Sequence, residues 1–221
     1  ELHSHYKQII LIGHPFFIKD VIETGIETGI RWKDLNLRLL FCSEGFNEKW
    51  REYICSRVQR KTMLEDALNT YGSSELLLMA HETPLSVFTR KSISHSPSLA
   101  KTFFGMNSPP NLFQYNPFMR YIETHRGNLL FTSASGTPLI RFNLKDSGHI
   151  YSLQEIVAML AATDPNWLKK FMQQSRYRKI WNLPFVTLTG RSDHTLVFQA
   201  VNIYPSHIQA GLNHTSFLKK L

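Results

Sequence analysis

The chain has 221 residues, of which 43% are hydrophobic. That is enough apolar material for one large domain, or a domain plus a fragment of a second, and it excludes a disordered protein. A formal net charge of +8 admits a nucleic acid, an anionic membrane or a phosphorylated ligand. The cations are scattered, however, and their densest clusters (Arg57 to Lys61, Arg176 to Lys179) are short, so a solvated basic surface is favoured over nucleic-acid binding.

The first apolar run, Gln8 to Gly13, stops at a glycine and predicts a buried strand. Pro15 suits the first turn of a helix reaching about Glu27, with Phe17, Val21 and Ile22 at helical spacing. Gly25 and Gly29 weaken that helix and end it. Leu37 to Cys42 predicts a second strand with Cys42 buried, Ser43-Glu44-Gly45 the loop after it, and Asn47 to Val58 a helix. Strand, helix, strand, helix is the pattern of a parallel α/β layer. Ala67 to Thr70 predicts the next strand, leading into Tyr71-Gly72-Ser73-Ser74-Glu75.

Residues 90–120 are rich in Ser, Pro and Asn without a period, which predicts an irregular connection with at most one short helix; Ser92 to Ser98 reads as a mobile loop. Asn128 to Ser133 and Pro138 to Phe142 predict a hairpin around Ala134-Ser135-Gly136-Thr137. Ser152-Leu153-Gln154-Glu155 is a capping box that starts a helix, and Asp164-Pro165 caps another running to about Gln174. Phe185 to Thr189 and Thr195 to Phe198 predict strands, and Pro205 opens a last short helix.

Cys42 and Cys55 form neither a disulfide framework nor a zinc pattern, which suits a reducing cytoplasm. No run approaches the ~20 apolar residues of a membrane helix. His3 and His5 sit at the very start of the chain, where disorder outweighs metal binding. His81-Glu82, six residues past the Tyr71 motif, is a candidate lining for an acyl pocket.

Three segments carry candidate chemistry. In the first, Gly72 lets backbone approach a ligand, the hydroxyls of Ser73 and Ser74 donate to phosphate oxygens, and Glu75 offers a hard oxygen ligand for Mg²⁺. Alone, the segment reads equally as a strand-to-loop turn with a buried tyrosine. In the second, Pro138 to Gly148 places Asp146 five residues past Arg141, where a carboxylate can accept both hydroxyls of a ribose; a salt-bridged surface turn is the alternative. In the third, Thr189-Gly190-Arg191-Ser192-Asp193, Arg191 can clamp a phosphate or ribose, or be a solvated arginine in a glycine turn.

The order and spacing of these segments resemble the adenylate-forming superfamily of acyl-CoA synthetases, luciferase-like enzymes and adenylation domains, and most of all its phenylacetate–CoA ligase branch. The carrying motifs are Tyr71-Gly72-Ser73-Ser74-Glu75, Pro138-Leu139-Ile140-Arg141-Phe142, Thr189-Gly190-Arg191-Ser192-Asp193 and Val201-Asn202-Ile203-Tyr204-Pro205-Ser206. The resemblance implies an α/β fold: the C-terminal part of the large domain over residues 1–190, a mixed sheet flanked by helices with a distorted β-barrel or hairpin region. The start of a small α+β lid domain would occupy 191–221.

It further implies ATP and Mg²⁺ as cofactors, CoA as co-substrate and an aryl or fatty acid as substrate, with no zinc. Ser43 and Glu44 would lie along the adenine, Asn69 would contact its amino group, and Tyr71 with Gly72 and Ser73 would pack on the purine and approach the phosphates. Ser74 and Glu75 would be catalytic, Glu75 as the Mg²⁺ ligand. Asp146 would accept the ribose hydroxyls, Arg191 would lie near ribose and phosphate, and Asp193 would be the hinge.

Some positions depart from that pattern. Asn143-Leu144-Lys145 replaces the usual residues before Asp146, and Gln199-Ala200 replaces the Arg-Gly near the pantetheine arm, which opens the alternative of a non-CoA acceptor. The phosphate loop and lid lysine have no match in this stretch, so a fragment truncated at both ends and inactive alone is expected, with a degenerate nucleotide-binding domain as a further alternative. A homodimer is left open; no nucleic-acid or membrane partner is expected.

Overall fold

The computed structural model describes residues 5–58, 62–134 and 137–191, and the backbone alone of 196–198 and 201–203. Strands β1 (Ile9–Gly13), β2 (Leu37–Phe41) and β3 (Ala67–Ser73) run parallel, with Ile9 opposite Leu37 and Leu39 opposite Ala67. Parallel neighbours need crossovers, and helices supply them: α1 (Pro15–Glu27) and α2 (Glu48–Val58). Leu37, Leu39 and Phe41 alternate onto the face covered by Ile18 and Ile22 of α1 and by Ile54, Cys55 and Val58 of α2.

The two glycines expected to end α1 do different things. Gly29 takes a φ of 89°, and Ile30 N–H closes onto the Gly25 carbonyl at 2.7 Å, a glycine-based stop. Gly25 makes room, since a Cβ there would lie 2.4 Å from the Trp32 ring. Cys55 is the buried cysteine, and burial pushes its thiol up to about 11. Cys42, expected to be buried, lies just past the end of β2 and is half-buried.

β3 turns back into β4 (Leu77–His81), an antiparallel hairpin the sequence did not reveal. The region read as irregular holds α3 (Pro84–Ser94), α4 (Pro97–Phe104) and β5 (Asn111–Gln114). The Ser, Thr and Pro content that suggested a loop supplies helix caps instead. Thr83 and Ser86 form a capping box before α3, Ser96 caps α4, and Pro84 and Pro97 occupy first turns. Ser92 to Ser98 is therefore the end of one helix and the cap of the next.

β6 (Tyr121–His125) and β7 (Asn128–Ser133) meet at Arg126 and Gly127, both with positive φ as a two-residue hairpin demands. β7 pairs with β8 (Leu139–Ser147) as predicted, and β8 runs on past Phe142 to deliver Asp146. After β9 (Ile150–Tyr151) comes α5 (Leu153–Thr163), whose Ser152/Glu155 capping box is formed. α6 (Trp167–Gln174) starts later than predicted. Asp164 ends α5, and its carboxylate accepts from Asn166 N–H at 2.9 Å and pairs with Lys170 at 2.6 Å. β10 (Phe185–Leu188), β11 (Gly190–Arg191), β12 (Leu196–Phe198) and β13 (Val201–Ile203) complete the order. The predicted Pro205 helix and the Gln199-Ala200 loop lie outside the described residues.

The main sheet reads β1-β2-β3-β4-β5-β10-β9, and a second reads β11-β8-β7-β6. Alternation on β5 and β10 joins two cores. Leu112 and Phe185 face Ile156, Leu160 and Phe171 of the helices, while Phe113 and Val186 face Ile122, Leu129 and Phe131 of the second sheet. The second sheet is thereby held over the carboxyl ends of β2 and β3.

Candidate functional site

A cavity of about 330 Å³ opens where the carboxyl ends of β2 and β3 meet β8 and β11. Seven of the expected positions line it: Ser43, Glu44, Asn69, Tyr71, Gly72, Asp146 and Arg191. They come from four separate stretches of chain, so the fold performs the convergence the sequence could only suggest. Crevices at the carboxyl ends of parallel strands are the usual ligand positions in α/β sheets.

At its centre Tyr71 Oη donates to Asp146 Oδ2 at 2.5 Å, while Arg191 Nη1 stands 3.8 Å from Asp146 Oδ1. Burial, followed by the Asp146 charge and hydrogen bond, pushes the Tyr71 phenol far above its ordinary range; Arg191 works the other way. The Tyr71 ring stacks on Phe113 at 5.6 Å and meets Phe131 edge-on at 5.9 Å. A tyrosine seated this way holds the carboxylate in place.

Gly72 lines the cavity, but the contact that demands glycine there is internal. A Cβ would lie 2.5 Å from the Leu77 carbonyl, at the bulge in the β3–β4 hairpin. Ser73 ends β3, and Ser74 and Glu75 form the exposed turn that follows. These three are not among the residues lining the cavity. Asp193 lies outside the described residues. Lys145 is exposed with a φ of 66°, on the solvent side of β8, next to the buried Asp146.

The loop after β2 is fixed from two sides. Ser43 adopts a φ of 72°, an uncommon conformation for a residue with a Cβ. Asn69 Nδ2 donates to the Glu44 carbonyl at 3.1 Å, and Asn69 Oδ1 accepts from Thr70 N–H at 2.9 Å. His14, at the N-cap of α1, brings Nε2 to 2.7 Å from Glu44 Oε2, an ion-pair distance without hydrogen-bond alignment.

Behind β3 lies a buried charged cluster that takes in Glu82, which the sequence offered with His81 as a candidate lining of an acyl pocket. Glu82 is fully buried, away from the cavity, and accepts from Arg51 Nη2 at 2.6 Å, Arg90 Nη1 at 2.7 Å and Asn69 N–H at 2.7 Å. Glu48 completes the set, 2.9 Å from Arg51 and 3.3 Å from Arg90. Burial alone would raise the Glu82 carboxyl, but the two guanidiniums outweigh it and hold it below the usual range. Glu82 N–H also donates to the Asn69 carbonyl at 2.8 Å. Glu82 is thus a support for Asn69. His81 is half-buried and meets Trp181 edge-on at 6.0 Å.

Asn111 and Phe113, side by side on one face of β5, were absent from the expected site. No motif marks them, because they sit in the stretch whose composition reads as loop.

No family model and no curated protein matches the sequence. The solved structures that match its fold include two states of one ligase. One is an open conformation of 2-hydroxyisobutyryl-CoA ligase in complex with 2-HIB-AMP and CoA, with a TM-score of 0.52, 15% identity, and coverage of 94% of this chain and 41% of that one. The other is the same ligase with the same ligands in the thioesterification state, with a TM-score of 0.57, 15% identity and coverage of 94% and 37%. The chain has the fold of an adenylate-forming CoA ligase. It spans about two fifths of the length of the structures it matches.

Proposed function

We propose that this chain is the nucleotide-binding part of an ATP-dependent acid–thiol ligase of the phenylacetate–CoA ligase type. Such an enzyme forms an acyl- or aryl-adenylate and passes the acyl group to CoA. The observation that carries the reading is the meeting of Tyr71, Asp146 and Arg191 in one cavity beside the Ser43–Gly45 loop. Asp146 presents to the cavity a carboxylate, the group that accepts from ribose hydroxyls, and Arg191 brings a fixed positive charge toward phosphate.

Mg²⁺ is typically held by one or two carboxylates together with substrate phosphates. Glu75 is an exposed carboxylate in the turn after β3, just outside the cavity wall, and would be the one that meets the ion. Bound there, the ion would neutralise charge on the phosphates. The chain's own residues hold the sugar, fix the loop and keep the reacting groups aligned.

The test is carboxylate-dependent exchange of labelled pyrophosphate into ATP by the protein in its natural full length, across a panel of aryl and fatty acids. Exchange with at least one acid, and a thioester product only when CoA is added, is the expected result. An adenylate formed without any CoA thioester would move the acceptor to another thiol or amine. Failure both to bind AMP or ATP and to exchange with any acid would overturn the reading.

A further inference from the structure

A second cleft, of about 420 Å³, lies between α3, the end of α5 and α6, and no residue of the motifs around Tyr71, Asp146 and Arg191 lines it. Phe88, Lys91, Ser92 and His95 recur at helical spacing on α3, and Trp167, Lys170 and Gln174 do so on α6. One face of each helix is therefore turned to the cleft. Its bottom is aromatic. Phe88 and Trp167 are mostly buried, and Phe88 meets Phe171 edge-on at 5.6 Å. Its more exposed positions carry nitrogen, with Lys91 and His95 one turn apart on α3 and Lys170 on α6. Asp164 is the acid among the lining residues. It pairs with Lys170 at 2.6 Å through side chains that are 25% and 59% exposed, while Lys91 reaches Glu52 only at 4.0 Å. Ion pairs this exposed contribute little to stability, so an incoming anion can draw either ammonium to itself.

We propose that this cleft binds a small organic anion, its apolar body seated on Phe88 and Trp167 and its carboxylate, sulfonate or phosphate held by Lys91 and Lys170. Concave sites that take small molecules combine an apolar bed with a few polar groups that fix orientation. Both parts are needed here. A neutral aromatic forgoes the two ammonium groups, and an inorganic anion forgoes the apolar surface removed from water. Asp164 opposes the ligand twice, by holding Lys170 and by placing a negative charge in the lining. The inference stands apart from the nucleotide reading, since it uses a different cavity and different residues.

Anilinonaphthalene sulfonate, a fluorescent aromatic anion, is the probe. Titrated into the natural full-length protein in the presence of excess AMP, it should fill a saturable site. Naphthoate should displace it about tenfold more strongly than the neutral naphthamide of the same shape, and inorganic phosphate should displace it weakly. Replacing both lysines, Lys91→Gln with Lys170→Gln, should weaken the probe about tenfold and leave the unfolding midpoint close to wild type. Asp164→Asn, which frees Lys170 and removes the opposing charge, should tighten it. Absence of an AMP-insensitive site in wild type, equal affinity in the lysine variant, or no tighter binding by folded Asp164→Asn would overturn the proposal. The probe is read whether or not the protein binds AMP, so a failure of the nucleotide reading is seen separately.

Discussion

Tyr71 Oη donates to Asp146 Oδ2 at 2.5 Å, a contact that joins the end of β3 to β8 across 75 residues of chain. It couples the two motifs that looked independent in the sequence. The phenol is buried and remains a donor, so the bond is directional, and it orients the carboxylate that the nucleotide reading gives to the ribose.

Tyr71→Phe should keep the ring stacked on Phe113 and lose only the bond. A hydrogen bond to a charged group is worth about 1.5–3 kcal/mol. The expected outcome is a stability loss of that order, a weaker affinity for AMP, and a coupling of similar size in a double-mutant cycle with Asp146→Asn. Urea unfolding and calorimetry measure both. Strictly additive losses would show that the two groups act apart.

Glu82 lies at the centre of a cluster with no solvent access, so removing its charge leaves Arg51 and Arg90 with Glu48 as the remaining acid of the set. Breaking a buried pair in this way costs about 3–5 kcal/mol. Glu82→Gln should lose stability on that scale, against a negligible change for the more exposed Glu52→Gln. The pH dependence has a definite sign. The folded carboxyl sits below its ordinary value of 4.5, so its stabilisation is complete above that value and is lost as pH falls through the folded one. Wild-type stability should therefore fall more steeply below pH 4.5 than that of Glu82→Gln, measured by unfolding midpoints across acid buffers. Parallel curves would remove Glu82 from the acid limb.

The sequence announced the parallel layer well, because Leu37, Leu39 and Phe41 alternate and both crossovers carry helical patterns. It announced Tyr71, Asp146 and Arg191 through motif and resemblance. It hid α3, α4 and β5, since the Ser, Thr and Pro that cap helices have the same composition as a loop, and Asn111 was hidden with them. It also hid the character of Glu82, whose burial depends on Arg51 and Arg90 arriving from two helices, α2 and α3. Gly72 was marked for close ligand approach, and it does line the cavity. The sequence hid a second demand for glycine there, since the bulge places the Leu77 carbonyl where a Cβ would be.

That steric assignment gives a third expectation. Gly72→Ala should destabilise by about 1–3 kcal/mol, because the clashing atom is backbone and cannot swing away. Gly13→Ala is the control, for its added Cβ would find the Ile18 side chain at an ordinary 3.7 Å. Thermal unfolding of both variants decides the matter. Equal midpoints would mean that the hairpin accommodates the methyl group and that glycine is kept for the cavity.

Glu75 separates the metal from the rest of the site. The side chain is exposed in the turn after β3 and is not part of the cavity wall, so Glu75→Gln should leave the unfolding midpoint unchanged. If it is the carboxylate that meets Mg²⁺ with the nucleotide phosphates, the affinity for ATP should rise when Mg²⁺ is added to wild type. In Glu75→Gln that rise should largely vanish, while AMP, with a single phosphate, binds both proteins alike. Titrations of ATP and AMP with Mg²⁺ and with EDTA read the difference. An undiminished Mg²⁺ effect in the variant would show that other oxygens hold the ion and that Glu75 is a solvated turn residue.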